Sequence, residues 1–225
     1  MNKGKENDEH NILKAYNMLL YFAGTMVMFD PSIECIQDFW TNGILRNLPV
    51  SSRNPRFIKA ASQLRESIAD DMSSYERMKV DYIALFTDRN DPLAPPFESS
   101  FGKNSEEAMK KETPDVIEFY NSYGWVSKFR KQIPDDHVGV ELLFLTLMVE
   151  KYLEFDDEAC HTEMKNEIRR FIDKHLSSWI PEWNKKVQLY ARTLSYKGIG
   201  TLIQACIEDI YSYLEGTLMS TVSSN

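Results

Sequence analysis

The sequence predicts an all-α protein of about ten helices, because apolar residues recur at helical spacing in nearly every segment. Ile12, Tyr16, Leu19, Leu20 and Ala23 are one such set. A second observation is negative: sustained alternation with period two, bounded by hairpin turns, is absent. The third is composition. Of 225 residues, 43% are hydrophobic, 27% charged and 12% aromatic, whereas a chain that cannot fold is poor in aromatic residues. This length suits one well-formed core spanning residues 1–225, or two small helical halves sharing an interface.

Taken in order, the spacing places helices at 10–29, 32–46, 55–72, 73–86, 105–111, 114–125, 135–154, 157–177, 181–194 and 198–220. The first contains the most apolar stretch, Met18 to Phe29, of about 12 residues where a bilayer-spanning helix needs about 20. It reads as a buried helix, and stable membrane insertion is not expected. Glu6, Asp8 and Glu9 precede it and Asp30-Pro31 follows, which is not the layout of a secretory leader. Thr113 can cap a helix beginning at Pro114, with Asp115 at its positive end. Pro134-Asp135-Asp136 is expected to do the same for the next long helix, and Pro181 marks a break after Trp179. The Ser-rich tail, Ser220 to Ser224, is expected to fray.

Thr87 to Lys103 stands apart. Asp91-Pro92 and Pro95-Pro96 cannot continue a helix, so 87–103 is the longest predicted loop. Its aromatic residues Phe97 and Phe101 favour a packed functional loop, and it can also hinge two helical halves. Such a hinge admits either a monomer or a domain-swapped dimer.

Charge and cysteine usage narrow the function classes. Twenty-six basic against 34 acidic side chains leave a net charge of -8, which repels phosphate backbones, so no nucleic-acid partner is expected. Cys35, Cys160 and Cys206 lie far apart and form no CxxC pair, which fits a reducing, cytoplasmic setting. Glu158-x-x-His161 is a single metal-type pair where a di-iron bundle needs two plus further glutamates. Asp135-Asp136-His137 is a second candidate, for a helical metal-dependent hydrolase, although Val140 stands one turn on where a further carboxylate is wanted. No nucleophile elbow or phosphate-cradling loop is present, and Gly198-x-Gly200 lies inside an apolar helical pattern.

Four segments, in order and spacing, resemble the TorD/DmsD/NarJ family of redox-enzyme maturation chaperones over roughly residues 75 to 185. They are Asp81-Tyr82-x-x-Leu85-Phe86, Pro95-Pro96-Phe97-Glu98-Ser99, Pro134-Asp135-Asp136-His137-x-x-x-Glu141, and His175-Leu176-x-x-Trp179. Tyr123-Gly124-Trp125 adds a glycine ahead of an aromatic residue, as family members often carry. Residues 1–70 match only in helical pattern, and Pro-Phe stands where Pro-Tyr or Pro-Trp is more usual.

The resemblance implies a cytoplasmic chaperone, not an enzyme and without an obligatory cofactor. It binds the twin-arginine signal peptide of a molybdenum-containing anaerobic oxidoreductase and assists the apo enzyme's maturation before export. The residue chemistry agrees, since a basic pair followed by an apolar helix-forming stretch needs carboxylates beside an apolar groove. Asp135, Asp136, Glu141 and Glu98 are expected to supply the first, with Asp136 pairing a leader arginine. Leu85, Phe86, Pro96, Phe97 and Trp179 are expected to supply the second. Tyr82, Pro95, Ser99, Pro134, His137 and His175 complete the expected signal-peptide site. Plainer readings stand beside these: Asp135 and Asp136 as helix caps, His137 and Glu141 as a local pair, Leu85 and Phe86 as core. A generic helical adaptor remains the other alternative to the hydrolase.

Overall fold

Helix boundaries follow from local capping. The structure is a computed structural model, and the residues it describes are 3–41, 44–67, 72–88, 91–101, 115–216 and 221–222. Helix α1 is Lys3–Met28 and α2 is Ile33–Ile36, where the Ser32 hydroxyl accepts from the Cys35 amide. Helix α3, Pro55–Glu66, starts with proline at a position that needs no N–H, and the Asn54 side chain caps it. Then come α4 (Met72–Tyr82), α5 (Val116–Ser122), α6 (Val138–Glu154) and α7 (Glu158–Phe171), the last capped by Asp157. Helices α8 (Ile180–Tyr190) and α9 (Leu194–Glu215) close the fold, and Gly216, at φ 78°, terminates α9 in the left-handed conformation that glycine adopts without strain.

The all-α class is therefore observed, with several boundaries corrected. The single helix expected over 32–46 is broken into α2, a π-helical turn Gln37–Thr41 and a 3-10 turn Ile44–Arg46. Helix α9 begins at 194 and not 198, because Thr193 accepts from the Tyr196 amide. Helix α6 begins at 138 and not 135, with His137 as its cap: the ring Nδ1 accepts from the Gly139 amide at 3.0 Å. Part of the tail is paired, since Thr221–Val222 lies antiparallel to Val50–Ser51. The helix expected at 105–111, the Thr113-Pro114 cap and the rest of the tail lie outside the described residues.

Helix α9 is the axis. Tyr196, Ile199, Leu202, Ile203, Cys206 and Ile210 are buried on it, with α1, α3 and α8 packed around. Gly198-x-Gly200 serves this packing, because a Cβ on Gly198 would come within 2.7 Å of Leu64 on α3. Asp209 ties three helices: it accepts from the Tyr16 hydroxyl of α1 at 2.9 Å and from the Asn54 amide that caps α3 at 2.9 Å. Helix α1 crosses α6 at Gly24 and Gly139, where a Cβ on Gly139 would stand 2.2 Å from the Met28 side chain. Met18 to Phe29 is buried as expected except at Met18 and Tyr21, which face solvent, and at Thr25 and Phe29, which are half-buried. No helix among the described residues is long and apolar enough to cross a membrane.

Candidate functional site

Two π-helical turns shape the site. Helix α4 widens at Ile83–Thr87 before the chain turns into the loop, and α7 widens at Ile172–Leu176, the turn that carries His175. Asp81, the acidic residue of the first motif, sits on the last turn of α4 and is bonded to the start of α9. Its buried carboxylate accepts from the Arg192 and Thr193 amides and from the Thr193 hydroxyl, anchoring the start of α9.

The loop is stitched down on both sides. The Leu93 and Ala94 amides donate to the Ala84 and Leu85 carbonyls, and the Trp183 indole donates to the Ala94 carbonyl. Next, Phe97 pairs antiparallel with His137: the Glu98 amide donates to the Asp136 carbonyl at 2.9 Å and the Val138 amide to the Pro96 carbonyl at 2.8 Å. The Phe97 ring meets the His137 ring edge-on at 5.4 Å. Glu98 and Ser99 then form a 3-10 turn through Ser100, and Phe101 stacks on Trp179 with ring centres 5.5 Å apart.

Carboxylates converge beneath this turn. The Asp136 side chain accepts from the Ser99 amide, and Asp135 pairs with Arg130 at 3.1 Å while its carbonyl accepts from the Tyr120 hydroxyl. Glu98, with 22% of its side chain exposed, accepts from the buried His175 ring, whose Nδ1 is 3.2 Å from both carboxylate oxygens. Glu141, with 0% exposure, accepts from the Trp179 indole at 3.3 Å. That same indole also donates to the His175 carbonyl at 2.6 Å. Two buried polar atoms here have no protein partner, Glu141 Oε1 and His175 Nε2.

The electrostatics follow from burial. Removal from water, and then the negative charges of Glu98 and Asp136, hold the Glu141 carboxyl well above the usual carboxylate range, with the Trp179 N–H pulling the other way. Burial also raises Asp135, which Arg130 partly offsets. It lowers His137 to about 3, so that ring is neutral and free to act as an acceptor for the helix cap. The expected His137–Glu141 pair is replaced by separate partners, Gly139 for one and Trp179 for the other.

The structure thus brings together Pro96 to Ser99, Asp135, Asp136, His137, Glu141, His175 and Trp179, while Pro134 is exposed at the edge of the same segment. Tyr82 is not among them. Its hydroxyl donates to the Met28 carbonyl, and burial pushes it up to about 12. Leu85, Phe86, Pro96 and Trp179 are core and not groove, because Phe86 packs on Trp183 and Tyr196, and Trp179 on Trp183 and Phe101. Pro95, Phe97 and Ser99 are half-buried at the rim. Asp135 and Asp136 do not cap α6; their carboxylates hold Arg130 and the loop.

Tyr120 and Arg130 complete the network although no sequence motif marks them, and Phe101, expected as a packed loop aromatic, joins them through Trp179. The nearby Tyr123-Gly124-Trp125 was the available signal: Gly124 has φ 61°, which lets the Trp125 amide return to the Tyr120 carbonyl and lay its ring edge-on against Tyr120. Among the described residues, no group of three or more His, Cys, Asp or Glu side chains is placed to hold a metal ion. His161, of the Glu158-x-x-His161 pair, stacks on Tyr152 at 3.8 Å.

Comparison with known proteins bears on this geometry. The family model described as nitrate reductase delta subunit matches residues 54–185, which include the loop, the Asp135–Glu141 segment and Trp179. No curated protein matches the chain.

Proposed function

Since the chain belongs to the nitrate reductase delta subunit family, the NarJ- and TorD-like chaperones that mature molybdoenzymes, we propose that it binds the twin-arginine leader of a molybdopterin oxidoreductase. On this reading it holds the apo enzyme in the cytoplasm until maturation is complete.

The observation that supports the reading best is the partly exposed Glu98 carboxylate at the head of the buried cluster. Asp135 is engaged by Arg130 and Asp136 by the loop amide, and Glu141 is enclosed, so Glu98 is the carboxylate a guanidinium can reach. The Asp136 carboxylate behind it, bonded only to the neutral Ser99 amide, adds to the attraction for a cation. In this reading Phe97, Ser99 and Phe101 form the half-buried rim a peptide touches. Asp135, Asp136, His137, His175 and Trp179 keep that rim in shape.

The test is titration of the full chain with a leader peptide. Glu98→Gln keeps an acceptor for His175 but loses the charge. Leader affinity should fall by about 1–3 kcal/mol while the helical spectrum is unchanged. Equal affinity for variant and wild type would remove Glu98 from the proposal.

A further inference from the structure

Away from the loop, helices α1 and α6 leave an open groove of about 830 Å3 between them. One wall is the α1 stripe Lys14, Met18, Tyr21 and Thr25, residues that share a face at helical spacing. Met18 is 65% exposed and Tyr21 53%, two large side chains one turn apart that line the groove. Phe22, Met26, Cys35 and Phe39 close one end with aromatic and sulfur-bearing surface, with Phe22 and Phe39 ring centres 4.4 Å apart. Methionine-rich surfaces adapt to apolar helices of differing sequence.

The opposite end has a different chemistry. Asn17 is 7% exposed; its Nδ2 donates to the Thr146 carbonyl, but its Oδ1 has no partner. Glu150 and Glu154, one turn apart on α6, stand exposed on the same end of the groove. Lys14 and His10 face them from α1, and the His10 ring is already hydrogen-bonded to the Leu153 carbonyl. Two carboxylates and an orphan amide oxygen stand against a single lysine, so this end has acceptors to spare and suits a donor. A basic side chain or the first N–H groups of a docked helix would satisfy them.

Length agrees with this. From His10 to Met26 the groove follows roughly 24 Å of helix at 1.5 Å per residue. A signal-peptide apolar run of about 7–15 residues occupies roughly 10–22 Å as a helix. We propose that this groove seats the apolar helical run of the client leader, with a basic residue flanking that run held by Asn17, Glu150 and Glu154. The inference rests on the leader-binding reading above and adds a second contact, separate from the Glu98 rim.

The experiment is fluorescence anisotropy of the full chain with a labelled synthetic peptide carrying an arginine pair ahead of a Leu/Ala run of about 12 residues. Met18→Lys combined with Tyr21→Lys changes only exposed positions, so the circular-dichroism spectrum should be that of wild type. Affinity should fall about tenfold or more, because apolar burial is lost on both side chains. A peptide whose apolar run is replaced by Gly/Ser should bind wild type and variant equally weakly. If wild type binds the peptide and the double variant binds it as well, the groove assignment is wrong and the leader reading stands. If wild type does not bind the peptide at all, both fail. If the double variant instead converts a dimer to a monomer in sedimentation, with peptide affinity unchanged, the groove is a self-association surface and the proposal is overturned.

Discussion

Replacing Glu141 by glutamine tests the electrostatics of the cluster directly. Glu141 is wholly enclosed, one carboxylate oxygen has no partner, and the charges of Glu98 and Asp136 add to the cost of ionising it. Its carboxyl is therefore held well above the ordinary 4.5. The sign follows from linkage. Between the ordinary value and the raised one, the folded chain keeps a proton that the unfolded chain has released. Stability is thus fully present below the ordinary carboxylate pKa and is lost as pH rises through the raised one. One proton corresponds to about a tenfold change in the folding equilibrium per pH unit. Glutamine keeps an acceptor for the Trp179 indole but has no such proton to release. Urea unfolding of wild type and Glu141→Gln at pH values stepped upward from about 5 should show wild-type stability falling more steeply, by up to one proton's worth. Other titrating groups are common to both proteins and cancel in the difference. Parallel pH profiles would mean that Glu141 is ionised or hydrated in the folded protein, and the account of a dry, proton-holding cluster would be lost.

Two further perturbations probe the frame that holds the site. Gly139→Ala drives a methyl group to 2.2 Å from Met28 Cγ and 2.9 Å from the Gly24 carbonyl. Overpacking of this kind should cost about 1–3 kcal/mol, read as a lower urea midpoint with an unchanged slope. Asp81→Ala removes the acceptor for two amides and a hydroxyl at the start of α9. A loss of about 2–3 kcal/mol in thermal or urea unfolding is expected, and a change within error would show that water replaces the carboxylate at no cost.

Much of the architecture was readable because helical periodicity is a local signal. The extents 73–86 and 157–177 hold even though each ends in a π-helical turn, since such a turn keeps the chain winding in the same sense. Boundaries fixed by distant partners were not readable. Thr193 starts α9 with its amide held by Asp81, more than a hundred residues earlier in the chain. Asp135 and Asp136 carry every local mark of a helix cap, yet Arg130 and the loop claim their carboxylates and leave the capping to His137. The same contrast applies to Leu85, Phe86 and Trp179. Their motif suggested a groove, but three-dimensional packing on Trp183, Tyr196 and Phe101 turns them inward. The groove at Met18 and Tyr21 was hidden for the opposite reason. Both residues continue an apolar stretch, and only the placement of α6 decides which side of α1 remains uncovered.

The geometry also bears on how a leader could be held firmly and still be released. Glu98 is bonded to a buried histidine and backed by enclosed acids, so the rim is set before any peptide arrives and little ordering cost remains at binding. Rim and groove lie on opposite faces of one helix, because Glu141 and Glu150 are nine residues apart on α6, roughly 14 Å of rise and half a turn of rotation. On the proposed reading, a single leader touching both makes the second contact intramolecular. Two individually modest interactions then multiply through effective concentration. The two differ in kind. Charge pairing at the partly exposed Glu98 weakens with ionic strength, whereas apolar burial at Met18 and Tyr21 does not. A peptide keeping only one half of this pattern loses the multiplication and not merely one term. On the proposed reading, such a receptor would discriminate leaders by the joint presence of a basic pair and an apolar run.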